Sequence, residues 1–266
     1  MTVKGFHFIN GRYIAGVEPV DVSVVIPCYN EADGIEPLLR EWNETLTAEI
    51  SSFEIVVIND GSTDGTGRIL DRLRKEMPHL RVTHQLNAGT SAAVRRGYEM
   101  AKGHYLLQVD ATGRFEPSDF LRMWEVRHYS LVLANRTHRL DSLTQRLTSL
   151  AFRKWTQILF GTPFHDPNVS FRLFRRDVAS RYYSLLPVAT ESLNLGLGVL
   201  IYYHFPEATT EINVPFRRRT HGHSHTGFLD RLTRGITLAV ELLRLRLAVL
   251  AKLPNTKTLV PSPIQS

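Results

Sequence analysis

The run Val22-Ser23-Val24-Val25-Ile26-Pro27-Cys28-Tyr29-Asn30-Glu31 decides the architecture. Its first half is apolar without a break except at Ser23. A strand with one wet face alternates apolar and polar residues; a strand covered on both faces does not. Val22 to Pro27 therefore reads as a strand between two layers of helix, the setting of a parallel sheet. Polar residues follow at its carboxyl end.

The same grammar repeats outward from this strand. A helix is expected from Gly34 to Leu46, with Leu38, Leu39, Trp42 and Leu46 at helical spacing. A second apolar run, Glu54 to Ile58, leads into Asn59-Asp60-Gly61-Ser62. A helix from Thr66 to Glu76 stops before Pro78. Arg81 to His84 reads as a short strand, Ser91 to Ala101 as a helix, and Tyr105 to Val109 as a strand ending at Asp110. Three strand–helix units and a further strand predict an α/β fold, a doubly wound, mostly parallel sheet flanked by helices. Ligands of such sheets lie beyond the carboxyl ends of the strands. Asn30 and Glu31, Asn59 and Asp60, Asn87, and Asp110 all fall there.

The flanks are less regular. Asn10-Gly11 is a hairpin turn signal, so residues 1–20 read as a hairpin extension. Asp141 to Phe160 reads as a helix with Leu143, Leu147, Leu150, Ala151 and Ile158 near one face. Val169 to Phe174 and Glu211 to Phe216 read as strands. From Phe228 to Leu253 a helix is expected, with Leu229, Leu232, Ile236, Val240, Leu243, Leu247 and Leu250 in one stripe. Arg231, Arg234, Arg244 and Lys252 lie mostly off it. Such a C-terminal amphipathic helix can lie in a membrane interface, dock on the main domain or pair in a homodimer, and all three stay open. The tail from Pro254 reads as loose. The expected organisation is 1–20 extension, 21–226 main domain, and 227–266 helix and tail.

Composition narrows the classes. With 43% hydrophobic and 22% charged residues the chain is not a disordered one. The single cysteine, Cys28, rules out an internal disulfide and a cysteine-rich metal site. A net charge of +6 favours anionic partners such as nucleotides or lipid phosphates, or serves solubility alone. There is no nucleic-acid motif, so nucleic acid is not an expected partner. No run approaches the roughly 18–20 apolar residues of a spanning helix, and Met1 to Gly11 lacks the apolar core of a signal peptide. The expected location is the cytoplasm, or the inner face of a membrane as a peripheral protein.

These blocks closely resemble family 2 glycosyltransferases, in particular the dolichol- and polyprenyl-phosphate sugar synthase branch. Val24 to Glu31 resembles the first donor-binding strand and loop, and Val57 to Thr66 the second. Asn87-Ala88-Gly89 with Ala92, Ala93 and Gly97 resembles the third, and Gly103 to Asp110 the approach to an aspartate motif. Gly161-Thr162-Pro163, Asp166 and Ser170-Phe171-Arg172 resemble an acceptor-side loop. Val214-Pro215-Phe216 with Arg219, Gly222 and Ser224 resembles a closing loop. The resemblance spans about Asp21 to His225. It implies a GT-A fold and an inverting transfer of a sugar from a UDP- or GDP-sugar to a polyprenyl-phosphate-like acceptor. Two alternatives are the same chemistry on a soluble acceptor (natural product, polysaccharide or peptide), and a GT-A domain that binds nucleotide without turnover.

The resemblance also assigns roles. Pro27 and Tyr29 would shape a wall and Glu31 would accept from the ribose hydroxyls. Asp60 would accept from the base edge, although Asp-Gly-Ser is also ordinary turn chemistry. Asn87 and Gly89 precede a helix whose amides could meet an anion, or simply cap it. Asp110 and Ala111 begin what would be an Asp-Ala-Asp motif holding Mg²⁺ or Mn²⁺ on the donor diphosphate. Here the motif departs: Thr112 stands at the second carboxylate and Arg114 two positions later. Either metal is held weakly through Asp110 and Thr112, or transfer is metal-independent and Arg114 neutralises the diphosphate with its planar, permanently charged fork. A further reading pairs Arg114 with Glu116 or Asp119. Arg136, Arg219 and His225 would lie near sugar and phosphates, His225 standing where the family has a lysine. His221-Gly222-His223-Ser224-His225 reads as a lid rather than a zinc site. Asp166 is the candidate general base for an acceptor hydroxyl, with Glu191 a weaker one.

Overall fold

The computed structural model describes residues 6–9, 12–15, 20–137, 143–187, 190, 193–215, 217, 235 and 237–247. An antiparallel pair, β1 (Phe6–Ile9) and β2 (Arg12–Ala15), brings Ile9 opposite Arg12, the hairpin that Asn10-Gly11 calls for.

The central elements alternate as the sequence predicts. They are β3 (Val22–Cys28), α1 (Ile35–Glu49), β4 (Phe53–Asp60), α2 (Thr66–Glu76), β5 (Leu80–Gln85), α3 (Thr90–Met100) and β6 (Tyr105–Gln108). β5, β4, β3 and β6 lie side by side and parallel. β4 is buried along its whole length, which is why its sequence shows no alternation. Two polar residues inside this core, Ser23 and Glu54, serve each other. Glu54 accepts from the Ser23 hydroxyl at 2.6 Å, the Lys102 amide at 2.6 Å and Arg81 at 2.7 Å, while Ser23 accepts from the Gly103 amide at 2.8 Å. α3 packs so close to β3 that a Cβ at Gly97 would lie 2.3 Å from Val25 Cγ1.

The second half completes the sheet less simply. After α4 (Pro117–Glu125) come β7 (Leu131–Thr137), α5 (Leu143–Phe160), β8 (Arg172–Arg175), α6 (Arg176–Tyr183), α7 (Leu193–His204) and β9 (Thr209–Pro215). Among the described residues the order is β5-β4-β3-β6-β8-β7-β9. β8 is antiparallel to both β6 and β7, and β9 is parallel to β7. The sheet is therefore mixed, parallel in its first half and turned by one inserted strand. Strand β8 is shorter than the expected Val169 to Phe174, because the chain before Arg172 turns, with the Val169 amide donating to the Asp166 carbonyl at 3.2 Å.

Two expected helix faces are corrected. On α5, Leu150 and Ile158 are 51% and 73% exposed, while Phe160 and Thr156 are buried and Phe152, Trp155 and Leu159 face the interior. Residues 237–247 are helical and dock on the main body through Leu242 and Leu245, not through the predicted stripe. Leu242 packs with Phe160, Leu195 and Val199, and Trp155 Nε1 donates to the Ala239 carbonyl at 3.3 Å. Val240, Leu243 and Leu247 of the stripe are 43%, 42% and 58% exposed. Helical periodicity identifies an apolar face, but both helices have two, and the sequence does not say which face meets α7.

Candidate donor and acceptor site

The loops at the carboxyl ends of β3 and β4 are laced together. The Asn30 amide donates to Ser62 Oγ at 2.9 Å and the Thr63 amide returns to Asn30 Oδ1 at 2.8 Å. Asn30 takes a left-handed φ of 54°, a conformation that asparagine tolerates. The Glu31 amide donates to Thr66 Oγ1 at 2.9 Å, and Asp64 accepts from the amides of Ala32 and Thr66, each at 3.0 Å. Burial pushes the Asp64 carboxyl up, but the Thr66 hydroxyl and these amides outweigh it and hold it below its ordinary range. The Glu31 backbone is thereby fixed at the strand mouth, where the residue is 8% exposed, two positions after Tyr29, which is 46% exposed. Pro27 and buried Cys28 continue the strand beneath them.

Asp60 is 4% exposed and its carboxylate is heavily used. Oδ1 accepts from Gln85 Nε2 at 2.7 Å and the Ala88 amide at 2.9 Å; Oδ2 accepts from the Gly89 amide at 2.9 Å. The anion met by the amides ahead of α3 is thus Asp60 itself. It fixes the Asn87-Ala88-Gly89 loop, whose approach to β4 is so close that a Cβ at Gly61 would lie 2.6 Å from the Asn87 nitrogen. Only a glycine fits there, at φ 75°. Asn87 itself is exposed.

Asp110 lies just past β6, followed by buried Ala111. Its Oδ1 accepts from the Thr112 amide at 3.1 Å and from the Thr112 hydroxyl; its Oδ2 accepts from Ser170 Oγ at 2.9 Å. Arg114 follows Gly113, at φ 68°, and is half-buried. Glu116 and Asp119, the carboxylates offered to Arg114 as surface partners, are held by Arg217 at 2.6 and 3.1 Å. Arg217 also brings the chain after β9 to the Arg114 carbonyl, its amide 3.5 Å away. No group of three or more histidine, cysteine, aspartate or glutamate side chains that could hold a metal occurs among the described residues. Asp110 supplies one carboxylate with three hydrogen bonds already on it. That set is not a cage for a hard cation; any ion there would depend on ligand phosphates for most of its coordination.

The candidate acceptor side is organised by β8. Its register sets Arg172 between Gln108 of β6 and Leu133 of β7. The turn before it therefore delivers Ser170 to Asp110 and Asp166 to Arg136. Asp166, 6% exposed, takes a two-point contact from Arg136. The same turn is held from beneath by Arg172, fully buried, which donates to the carbonyls of Val169 at 2.7 Å, Asn194 at 2.5 Å and Pro167 at 3.3 Å. Burial pushes the guanidinium down to about 10, so it stays charged at neutral pH. Beside the turn, His165 meets Glu211 of β9 through its amide at 2.9 Å and Nδ1 at 2.8 Å.

The structure thus gathers Glu31, Asp60, Asp110, Arg114, Arg136 and Asp166 along one end of the sheet, with Pro27, Tyr29, Asn87 and Ala111 beside them. Arg219, His225, His221, His223 and Glu191 lie outside the described residues. Ser170, Arg172 and Arg217 were not assigned roles by sequence. Ser170 and Arg172 stand in a motif the sequence shows, but the Ser170 partner is 60 residues away and one of the Arg172 partners, Asn194, is 22 away. Arg217 carries no signal beyond being one of a run of three arginines.

A sheet of this topology with its polar residues at the carboxyl ends is the GT-A fold of nucleotide-sugar transferases. The model of the glycosyl transferase family 2 matches residues 23–183, and the chain belongs to that family. It is 25% identical over 253 residues to the dolichyl-phosphate beta-glucosyltransferase of Dictyostelium discoideum, covering 86% of this chain and 75% of that protein. It is 30% identical over 207 residues to the undecaprenyl-phosphate 4-deoxy-4-formamido-L-arabinose transferase of Pseudomonas syringae, covering 76% of this chain and 60% of that protein. Among solved structures it resembles Mycobacterium tuberculosis glucosyl-3-phosphoglycerate synthase in complex with Mn²⁺, UDP-glucose and phosphoglyceric acid, with a TM-score of 0.63 at 18% identity over 89% of this chain and 81% of that one. It also resembles mannosyl-3-phosphoglycerate synthase from Rubrobacter xylanophilus, with a TM-score of 0.61 at 19% identity over 92% and 80% of the two chains. At these identities the likeness speaks to the fold. No helix among the described residues is long and apolar enough to cross a membrane.

Proposed function

We propose that this glycosyltransferase moves a sugar, with inversion, from a nucleotide sugar to a polyprenyl phosphate, working at the cytoplasmic face of a membrane. The observation that carries the acceptor class is the outward surface of α5 and residues 237–247. Leu150, Ile158, Val240, Leu243 and Leu247 are exposed on two helices that pack against each other. Arg153, Lys154 and Arg244 stand among them, matching an anionic lipid surface. The relatives named for dolichyl phosphate and undecaprenyl phosphate support the same class.

In this reading Glu31 accepts from the ribose and Asp60, through its grip on the Asn87 loop, shapes the base side. Asp110 lies at the diphosphate. Arg114 and Arg136 supply positive charge to the diphosphate or the acceptor phosphate, and Arg219 and His225 would close over them. Asp166 orients or deprotonates the acceptor; an acceptor that is already a phosphate anion needs little basic help. A structural neighbour binds Mn²⁺ with UDP-glucose. The single carboxylate of Asp110 beside Arg114 favours arginine as the principal neutralising group here.

The test is transfer from a panel of UDP- and GDP-sugars to undecaprenyl phosphate in mixed micelles. A lipid-linked sugar is expected. Nucleotide release without it, or transfer to soluble acceptors alone, overturns the acceptor class. Persistence of at least half the rate in EDTA is expected from arginine neutralisation; collapse in EDTA with recovery in Mg²⁺ or Mn²⁺ overturns that part.

A further inference from the structure

At the opposite end of the sheet from Asp110, the amino ends of β3 and β6 and the start of α6 surround a cavity of about 630 Å³. It lies five residues along β6 from Asp110, on the order of 16 Å at strand rise. Its wall contains Arg127, Arg175 and Arg176, with His104, the phenol of Tyr105, and the carboxylates of Asp21 and Asp177. None of these residues belongs to the candidate transfer site. We propose that this cavity binds a small hydroxyl-bearing phosphomonoester.

Two of the three guanidinium groups, those of Arg127 and Arg175, are held in place before any ligand arrives. The Arg127 guanidinium lies 4.6 Å from the Trp124 ring centroid and donates to the Trp124 carbonyl at 2.8 Å. Arg175 is fixed by Asp177, Nη2 at 2.7 Å and Nε at 3.2 Å. The Arg176 amide donates to the His104 carbonyl at 2.8 Å, which sets the first turn of α6 against the wall. The positive end of that helix adds to the field. Three guanidinium groups against two carboxylates leave a net positive wall, and planar guanidinium forks match phosphate oxygens. Preorganised groups of this kind lose little entropy on binding.

The two carboxylates say more about the ligand than its charge. Burial raises the Tyr105 phenol, Arg127 and Arg175 pull it down, and Asp177 and Asp21 push it up, so both signs of charge face one hydroxyl. A bare phosphate would meet repulsion from the acids. An ester carrying hydroxyl groups meets arginines at its phosphate and carboxylate acceptors at its hydroxyls. The volume lies in the range of small-molecule sites and far exceeds what one phosphate fills.

Calorimetric titration of the full chain tests this, with glucose 6-phosphate, inorganic phosphate, and vesicles containing phosphatidate as separate arms. Glucose 6-phosphate is expected to bind, and more tightly than inorganic phosphate. Arg127 and Arg176 are exposed, so Arg127→Ser and Arg176→Glu are expected to keep the thermal midpoint while each weakens that binding at least tenfold. Hydrogen exchange of the unaltered chain is expected to show protection around His104 to Leu106 and Arg175 to Val178 with glucose 6-phosphate present. No binding of glucose 6-phosphate, binding unchanged in both variants, or binding to phosphatidate vesicles alone overturns the proposal. These readouts do not require transferase activity, so failure of the proposed function leaves them interpretable.

Discussion

Arg136 on β7 grips Asp166 with two nitrogens: Nη2 reaches Oδ1 at 2.9 Å and Nε reaches Oδ2. Thirty residues separate them in sequence, and the antiparallel insertion of β8 brings them together. The contact ties the candidate base to a cation that the proposed reaction also needs for phosphate. An incoming phosphate would compete with Asp166 for Arg136, so substrate binding and release of the carboxylate are linked in this reading. With a phosphate acceptor, which needs little basic help, Asp166→Asn is expected to lower the transfer rate by well under the roughly 10²–10⁴-fold of a lost general base; a fall of that size would show that the carboxylate takes the proton. A fall under fivefold with an unchanged pH profile would leave Asp166 a scaffold for Arg136. Steady-state rates across pH decide between the two.

Ser170 connects the turn before β8 to Asp110 through a single hydrogen bond of 2.9 Å. Losing one such bond to a charged acceptor removes about 1.5–3 kcal/mol, or roughly 10–150-fold where the bond matters in the rate-limiting state. Ser170→Ala is expected to fall at the low end of that range, because Thr112 still holds Asp110. Asp110→Asn is expected to cost far more. Comparing kcat and KM for the two variants checks the order.

Arg172 is a buried cation that donates to three backbone carbonyls, those of Val169, Pro167 and Asn194. Arg172→Met fills part of the space and leaves those carbonyls without their donor, at about 1–3 kcal/mol for each one that water cannot reach. For a chain of this length 1 kcal/mol moves the melting temperature by roughly 2–4 °C. A drop of about 5–10 °C is expected, with loss of transfer even below the new midpoint. Differential scanning calorimetry and activity on the same sample make the check.

Gly97 is a packing position. A methyl placed there would meet Val25 Cγ1 at 2.3 Å, so α3 or β3 must move. Gly97→Ala is expected to destabilise by about 1–3 kcal/mol despite the better helix propensity of alanine. Urea unfolding measures it; a stabilised variant would show that the helix shifts freely.

Acid stability follows from Glu54 and Asp64. Burial pushes both carboxyls up, but their hydrogen bonds dominate and hold both below the ordinary values of 4.5 and 3.8. A lowered carboxyl pKa gives stability that is present above the ordinary value and lost as pH falls through the folded one. Stability is therefore expected to be flat above about pH 5 and to decline below about pH 4. Arg81→Ala, which removes a donor to Glu54 at 2.7 Å, should shift that decline to higher pH. Urea midpoints across pH test it.

The parallel half of this protein was written locally. Val24 to Ile26 and Ile55 to Ile58 are apolar because both faces are covered, and a continuous apolar run shows that without knowing the neighbours. The polar residues at the strand ends then follow from the winding of the sheet, so Glu31, Asp60 and Asp110 could be placed together from sequence. What tertiary structure alone decided was non-local. Nothing in Arg172 to Arg175 says that the strand will run backward between β6 and β7, yet that placement joins Asp166 to Arg136 and Ser170 to Asp110. Asp60 shows an anionic side chain at the right place, but not that the amides of Ala88 and Gly89 will occupy it. The last helix shows an apolar stripe, but Leu242 rather than Leu243 meets the core. Periodicity and strand ends are properties of the chain itself; register, partner and facing surface belong to contacts between segments distant along it.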